Sequence, residues 1–300
     1  MTNEVLLEAK HQMHEVSGSW ACPSVIVGLI GAGIQESRTP SLHEREGAQQ
    51  GLRYVYKLID LEMFGLDASS LPEILTAAER FGFAGLNITH PCKQAIIPLL
   101  NELSPDAAAL GAVNTVVLKN GRRLGYNTDW WGFAESFRRE LADTRRDRVV
   151  QFGAGGAGAA VAYTLLTLGA GQVIIIDTDE ARAESLAAAL CERFGQSRAS
   201  PGSSPADALA GADGMVNTTP LGMAKYPGMA LPADLLHHDL WVADIVYFPM
   251  ETELLRQARA RGCRTMSGGG MAVFQAVGAF RLFTGLESDV TRMLRHFSEM

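Results

Sequence analysis

The chain alternates between short apolar runs rich in β-branched residues and longer stretches with apolar residues at helical spacing, the pattern of an α/β protein. Ser24–Ile30 predicts a strand that ends in the turn Gly31-Ala32-Gly33. Ser41–Gln50 predicts a helix, with Ser41 or Thr39 as its cap and Pro40 in its first turn. Strands over Val55–Ile59 and Ala84–Ile88 flank a helix over Pro72–Phe81 that stops at Gly82. Lys93–Leu100 reads as helical. Ala112–Lys119 is β-rich, and Asn120-Gly121 marks a hairpin that returns through Leu124–Tyr126.

A helix from about Trp131 to Leu141 leads into the polar cluster Asp143–Arg148, the best candidate linker. Beyond it come strands at Arg148–Phe152, Val173–Ile176 and Trp241–Val246, and one entering Asn217. Helices are expected over Gly158–Leu168, Glu180–Phe194 and Thr252–Arg261, and a loop at Ser200–Ser204. This half reads as a doubly wound, Rossmann-like parallel sheet. The apolar helix Ala272–Leu286 is expected to pack back on the first half. The 300 residues therefore suggest two α/β domains. One is an N-terminal substrate domain of residues 1–130 plus 266–300, with 1–22 as a polar extension. The other is a C-terminal dinucleotide domain of residues 131–265.

A hydrophobic content of 47% with 20% charged residues is ordinary for a globular protein. The net charge of −7 argues against a nucleic-acid partner, yet leaves room for a small anionic substrate held by local groups. The four cysteines are scattered without metal spacing, so they read as reduced thiols of a cytoplasmic protein, and no metal is expected. No apolar run reaches the ~18 residues of a membrane span. Glu4, Glu8 and Lys10 do not suit a signal peptide. A homodimer is left open.

Gly153-Ala154-Gly155-Gly156-Ala157-Gly158 fits G-x-G-x-x-G between a predicted strand and a predicted helix. Gly153 permits the turn, Gly155 lets backbone approach a pyrophosphate, and Gly158 allows helix and strand to pack closely. Asp177 stands nineteen residues after Gly158, at the end of the next strand. A carboxylate there suits the ribose hydroxyls of NAD and repels the extra phosphate of NADP. The neighbours Thr178, Asp179 and Glu180 supply no cation, and Arg182 lies on the following helix. NAD is therefore the expected cofactor.

Oxidising an alcohol requires a base for the hydroxyl proton beside the hydride acceptor. Thr89 and Lys93 follow one strand, Asn127-Thr128-Asp129 follows another, and Asn114 lies in the β-rich run. Lys93 with Asp129 can shuttle a proton, the carboxylate orienting the ammonium. The plainer alternatives are a solvated Lys93 and an Asp129 that caps the next helix. His43, His90, His237 and His238 have no ligand spacing, and His90 is read as supporting its loop. Trp130 and Trp131 are read as packing at the domain junction.

Several segments resemble the shikimate dehydrogenase family. They are Ser37-Arg38-Thr39-Pro40-Ser41-Leu42-His43, Asn87-Ile88-Thr89-His90-Pro91-Cys92-Lys93, Gly111–Thr115, Tyr126–Asp129 and Gly153–Gly158. Asn217–Met223, Asp244–Pro249 and Gly268–Met271 with Gln275 complete the set. The resemblance implies that Lys93 and Asp129 are catalytic. It implies that Ser37 and Thr39 bind a substrate carboxylate, that Thr89, Asn114 and Gln275 bond ring hydroxyls, and that Tyr247 lies beside the substrate. Thr219 and Gly268 would join the glycine turn and Asp177 around the cofactor, and Asn87 would shape its loop. Thr39, where serine is frequent, and Asp177, where NADP users carry bases, point to the NAD-dependent quinate/shikimate branch. The substrate would be a small polyhydroxy carboxylate. The alternatives are an NADP enzyme of aromatic biosynthesis, an NAD enzyme for an amino-substituted acid, and a catalytically silent regulator.

Overall fold

The first apolar run forms β1 (Ser24–Gly31), whose last five residues are buried. The computed structural model describes residues 23–300, so the extension read over 1–22, and Cys22, lie outside it. β1 pairs with β2 (Arg53–Asp60) and β3 (Gly85–Ile88), both parallel to it. The sheet is completed by β4 (Glu102–Leu103), β5 (Thr115–Lys119) and β6 (Arg122–Tyr126), in the order β2-β1-β3-β5-β6-β4. Only β5 runs antiparallel to its neighbours. Asn120 and Gly121 join β5 to β6 with φ of 53° and 69°, the left-handed pair that a tight hairpin requires.

This topology decides where polar groups meet. The carboxyl ends of β1, β3 and β6 and the amino end of β5 share one edge of the sheet. Ser37, Thr89, Lys93, Asn114 and Asp129 all follow or precede those ends. Asp60 closes β2 at the same edge. Its carboxylate accepts the Gly33 and Ile34 N–H groups at 2.9 and 3.0 Å and so pins the loop after β1.

The second sheet holds β7 (Arg148–Phe152), β8 (Gln172–Ile176), β9 (Ala199–Pro201), β10 (Gly214–Asn217), β11 (Trp241–Asp244) and β12 (Arg264–Met266). All are parallel, in the order β12-β11-β10-β7-β8-β9. The strand order reverses between β7 and β10, where open α/β sheets place their ligands.

The helices of eight residues or more are α1 (Thr39–Gln49), α2 (Leu71–Arg80), α3 (Asp129–Glu140), α4 (Gly156–Thr167), α5 (Glu180–Phe194), α6 (Glu253–Ala260), α7 (Gly268–Thr284) and α8 (Val290–Glu299). α3 and α7 cross so closely that a Cβ on Gly132 would lie 2.8 Å from both Gln275 N and Met271 O. Met271 packs with Phe133, Phe137 and the second sheet, whereas Ala279, Phe280 and Phe283 pack on Val27, Leu29 and Tyr54 of the first. The helix expected to return to the first half thus touches both sheets. Trp130 meets Tyr163 of α4 edge-on at 6.1 Å, and Trp131 meets Phe274 of α7 edge-on at 6.2 Å. Glu46, buried on α1, takes two N–H groups of Arg292 and ties α8 down.

Some expectations need correction. Lys93–Leu100 is not one helix: an α-turn at Cys92–Ala95 gives way to a 3₁₀ turn at Ile97–Leu99, since Pro98 lacks an N–H to continue the ladder. Ser200–Ser204 is partly strand, because β9 adds a three-residue edge, where a proline is tolerated. The N-cap of α1 is Arg38, not Thr39 or Ser41. The final apolar helix starts at Gly268 rather than Ala272, and α8 follows it without a counterpart among the predicted elements.

Candidate active site

Lys93 and Asp129 meet at the shared edge of the first sheet, with Nζ 2.7 Å from Oδ2. Their side chains retain 21% and 11% of their exposure, so the pair is largely removed from water yet reachable. Asp129 does not cap α3. Thr128 is the N-cap, and Asn127 Oδ1 accepts the Asp129 N–H at 3.0 Å. The capping alternative is thereby set aside, as is a solvated Lys93.

Asn114 orients the carboxylate. Its Oδ1 accepts the Thr128 N–H at 2.8 Å and the Thr115 hydroxyl at 2.9 Å. Those bonds fix the amide so that Nδ2 donates to Asp129 Oδ1 at 2.9 Å. The same Nδ2 faces Gln275 Oε1 at 3.5 Å, which brings α7 to the site. The chain of bonds continues into the core. Asn87 Nδ2 donates to Thr115 Oγ1 at 3.0 Å, and the Tyr56 hydroxyl donates to Asn87 Oδ1 at 2.7 Å. Burial pushes the Tyr56 phenol well above its ordinary pKa, with Tyr54 adding to the shift, so it stays a neutral donor.

Because every member has a partner, the network is sensitive to one lost hydroxyl. Thr115→Val keeps the shape but removes the only group joining Asn87 to the Asn114 side chain. Urea unfolding should show a loss of about 1–3 kcal/mol. An unchanged midpoint would mean that the network does not hold the pair in place.

The hydroxyls of Thr39, Thr89 and Tyr247 have no hydrogen-bond partner among the described residues, so they are available to a ligand. Ser37 Oγ accepts the Thr39 N–H at a long 3.4 Å. Tyr247 comes from the loop after β11. Desolvation raises its pKa, Arg38 opposes the rise and Asp129 adds to it. Its ring lies 6.0 Å from that of Phe297 on α8.

The glycine turn follows β7. Gly153 has φ of +102°, and a Cβ there would lie 2.6 Å from Thr218 Oγ1. A Cβ on Gly158 would strike the Gly153 carbonyl oxygen. A Cβ on Gly155 would meet nothing within 4 Å beyond its chain neighbours, and Gly155, the N-cap of α4, makes no side-chain cap. The residues thus fit a dinucleotide: open space for a pyrophosphate, faced by uncapped N–H groups. Gly156 faces Lys93, whose Cδ would lie 4.0 Å from a Cβ there. Asp177 Oδ2 accepts the Ala154 N–H at 2.6 Å, and Oδ1 accepts the Asp179 N–H at 2.9 Å. Arg182, the nearest base in sequence, is already paired with Asp179 at 3.1 Å.

A model of the shikimate dehydrogenase substrate binding domain matches residues 29–116. A protein of Streptomyces avermitilis named shikimate dehydrogenase (NADP(+)) is 59% identical over 280 residues, covering 92% of this chain and 96% of its own. A Corynebacterium efficiens protein named quinate/shikimate dehydrogenase (NAD(+)) is 51% identical over 277 residues, covering 91% and 98%. The solved quinate dehydrogenase of Corynebacterium glutamicum in complex with NAD superposes with a TM-score of 0.88 at 48% identity, covering 93% of this chain and all of that one.

The chain belongs to the shikimate dehydrogenase family. It is thereby an oxidoreductase, and the reading as a silent regulator falls away.

Not every predicted site residue of this shikimate dehydrogenase family member faces the cleft freely. Thr219 Oγ1 donates to Asn217 Oδ1 at 2.7 Å, so its hydroxyl proton is engaged. Gly268 is buried, and a Cβ there would collide with the Ile245 carbonyl. Its glycine is explained by packing. His90 is exposed at the surface end of its loop. His43 is buried with a pKa lowered to about 3 by desolvation, 3.1 Å from the Tyr54 hydroxyl, and serves the core.

Asp244 has a role that the sequence does not assign. Its Oδ1 accepts from Asn217 Nδ2 and from the Val246 N–H, and its Oδ2 from Thr252, at 2.9, 3.0 and 2.7 Å. Burial raises its pKa against those bonds. It ties the loops after β10 and β11 together, and so places Tyr247. The one available signal is an acid closing an apolar strand.

Proposed function

We propose that the chain oxidises, reversibly and with NAD, a ring hydroxyl of quinate, shikimate or both, giving the 3-dehydro acid. The observation that carries this reading is the Lys93–Asp129 contact of 2.7 Å beside the glycine turn. The acid would lie on residues 1–130 and 266–300, and the dinucleotide on 131–265. When bound, the nicotinamide accepts the hydride. Lys93, as the neutral amine, takes the hydroxyl proton and becomes the ammonium, and Asp129, held by Asn114, keeps Nζ aimed. Ser37 and Thr39 would grip the carboxylate. Thr89, Asn114 and Gln275 would bond ring hydroxyls, and Tyr247 would close the far side. Such directional bonds reject analogues that lack a hydroxyl.

For the cofactor, Gly153, Ala154, Gly155, Gly156, Ala157 and Gly158 would carry the pyrophosphate, and Asp177 the ribose. Thr219 and Gly268 would shape its nicotinamide end through the backbone. The relatives' names divide between NAD and NADP; the paired Arg182 and the acidic loop favour NAD. Absorbance of the reduced cofactor, followed at mildly alkaline pH, should rise on adding quinate or shikimate to enzyme and NAD. No rise with either acid, with NAD or NADP, would sink the proposal.

A further inference from the structure

Arginines of this chain commonly end on a carboxylate, as Arg123 does on Glu79 and Arg292 on Glu46. Arg38 does not. It is half-buried and, among the described residues, makes no ion pair and no side-chain hydrogen bond. Its guanidinium carbon lies 4.9 Å from the centre of the Phe248 ring and 5.8 Å from that of Phe297. Aromatic faces attract the charge but accept no conventional hydrogen bond. Five N–H donors are therefore partly withdrawn from water and unmatched. That arrangement is unfavourable until an acceptor arrives.

The position is telling. Arg38 stands between Ser37 and Thr39, at the N-cap of α1. Phe297 lies 5.8 Å from the Arg38 guanidinium and 6.0 Å from the Tyr247 ring, so the unmatched cation and Tyr247 share one aromatic neighbour. With Lys93 at the reacting hydroxyl, as the proposed function has it, a molecule seated against Tyr247 would meet a guanidinium at one end and Lys93 at the other. A ring acid with a carboxylate at one end and a hydroxyl across the ring has that polarity.

We infer that Arg38 is a specificity-determining residue whose guanidinium receives the substrate carboxylate, supplying the charge that the Ser37 and Thr39 hydroxyls lack. The inference rests on the substrate reading given above. Phe248 and Phe297 hold the guanidinium in place before the acid binds, which lowers the entropy lost on binding. A charge-assisted bond to a carboxylate is stronger than the neutral bonds beside it.

The test compares the wild-type enzyme with Arg38→Met, which keeps apolar length against the two rings, and with Arg38→Lys, which keeps the charge. The readouts are kcat and KM for the acid and Ki for its uncharged methyl ester. Arg38→Met should raise KM for the acid by about 10- to 100-fold, with the loss falling on KM rather than kcat. The ester should bind wild type and Arg38→Met with similar Ki, and Arg38→Lys should recover part of the affinity for the acid. If acid and ester weaken in parallel, Arg38 merely holds its loop against Phe248, and the inference is overturned. An unchanged KM for the acid overturns it too. Wild-type enzyme that turns over neither acid would sink the substrate reading first, a result distinct from normal turnover with an unaltered acid-to-ester ratio.

Discussion

Lys93→Ala should lower kcat by about 10²- to 10⁴-fold, the span of a positioned acid–base group, with a much smaller change in KM. Lys93 Nζ lies 2.7 Å from Asp129, in reach of a hydroxyl placed between that pair and the glycine turn. Its work is done while the proton leaves oxygen, so its removal falls on the transition state and spares ground-state binding. Folding should survive, because Asp129 keeps its bond from Asn114 at 2.9 Å and the side chain is partly open to water. Steady-state kinetics on a variant with a normal unfolding curve makes the comparison. A kcat within a few-fold of wild type would remove Lys93 from the chemistry. Loss of KM alone would demote it to a binding group.

Both halves of that pair are legible in the sequence, because each sits directly after a strand and strand ends are readable from β-branched runs. Lys93 follows β3 by a few residues, and Asp129 follows β6. Their meeting is not legible. It requires β5 to run antiparallel, so that Asn114 enters the sheet at the edge where β3 and β6 leave it. Hairpin chemistry at Asn120-Gly121 hints at this reversal, but the order β3-β5-β6 is a tertiary fact. The glycine turn is legible because each glycine has a separate steric reason. Gly153 needs its positive φ, and Gly158 has no room for a methyl group.

Elsewhere the local signals are weak or contradictory. Pro98 divides an otherwise helical run. β9 is three residues long and ends in a proline. Gly268, Gly269 and Gly270 open α7 although glycine is a poor helix former. They do so because side chains there would hit Ile245, Met250 and Ser136. Packing overrides propensity at that point. Arg38 illustrates a different gap. Nothing in Ser37-Arg38-Thr39 says that the middle residue lacks a carboxylate partner, since that depends on which side chains Phe248 and α8 bring near.

The cofactor preference gives the second large effect. Wild-type enzyme should favour NAD over NADP in kcat/KM, and Asp177→Asn should reduce that ratio by about tenfold or more. Two anions ~4 Å apart repel by about 1–4 kcal/mol, depending on how much water separates them. Arg182 lies on the following helix, where an exposed pair with Asp179 at 3.1 Å competes for it. Asparagine is the informative change. It retains an oxygen for the Ala154 N–H, which Asp177 now accepts at 2.6 Å, so the glycine turn need not collapse. It gives up the bond from the Asp179 N–H to Oδ1, keeps one oxygen with a second lone pair for a ribose hydroxyl, and loses the charge that repels a phosphate. The gain should thus appear mainly as a lower KM for NADP. If the ratio does not move, the carboxylate serves only to brace the turn, and selectivity must come from elsewhere on the rim. If the wild type already prefers NADP, the acidic loop is tolerated by a phosphate, and an unpaired cation must reach it from a neighbouring element.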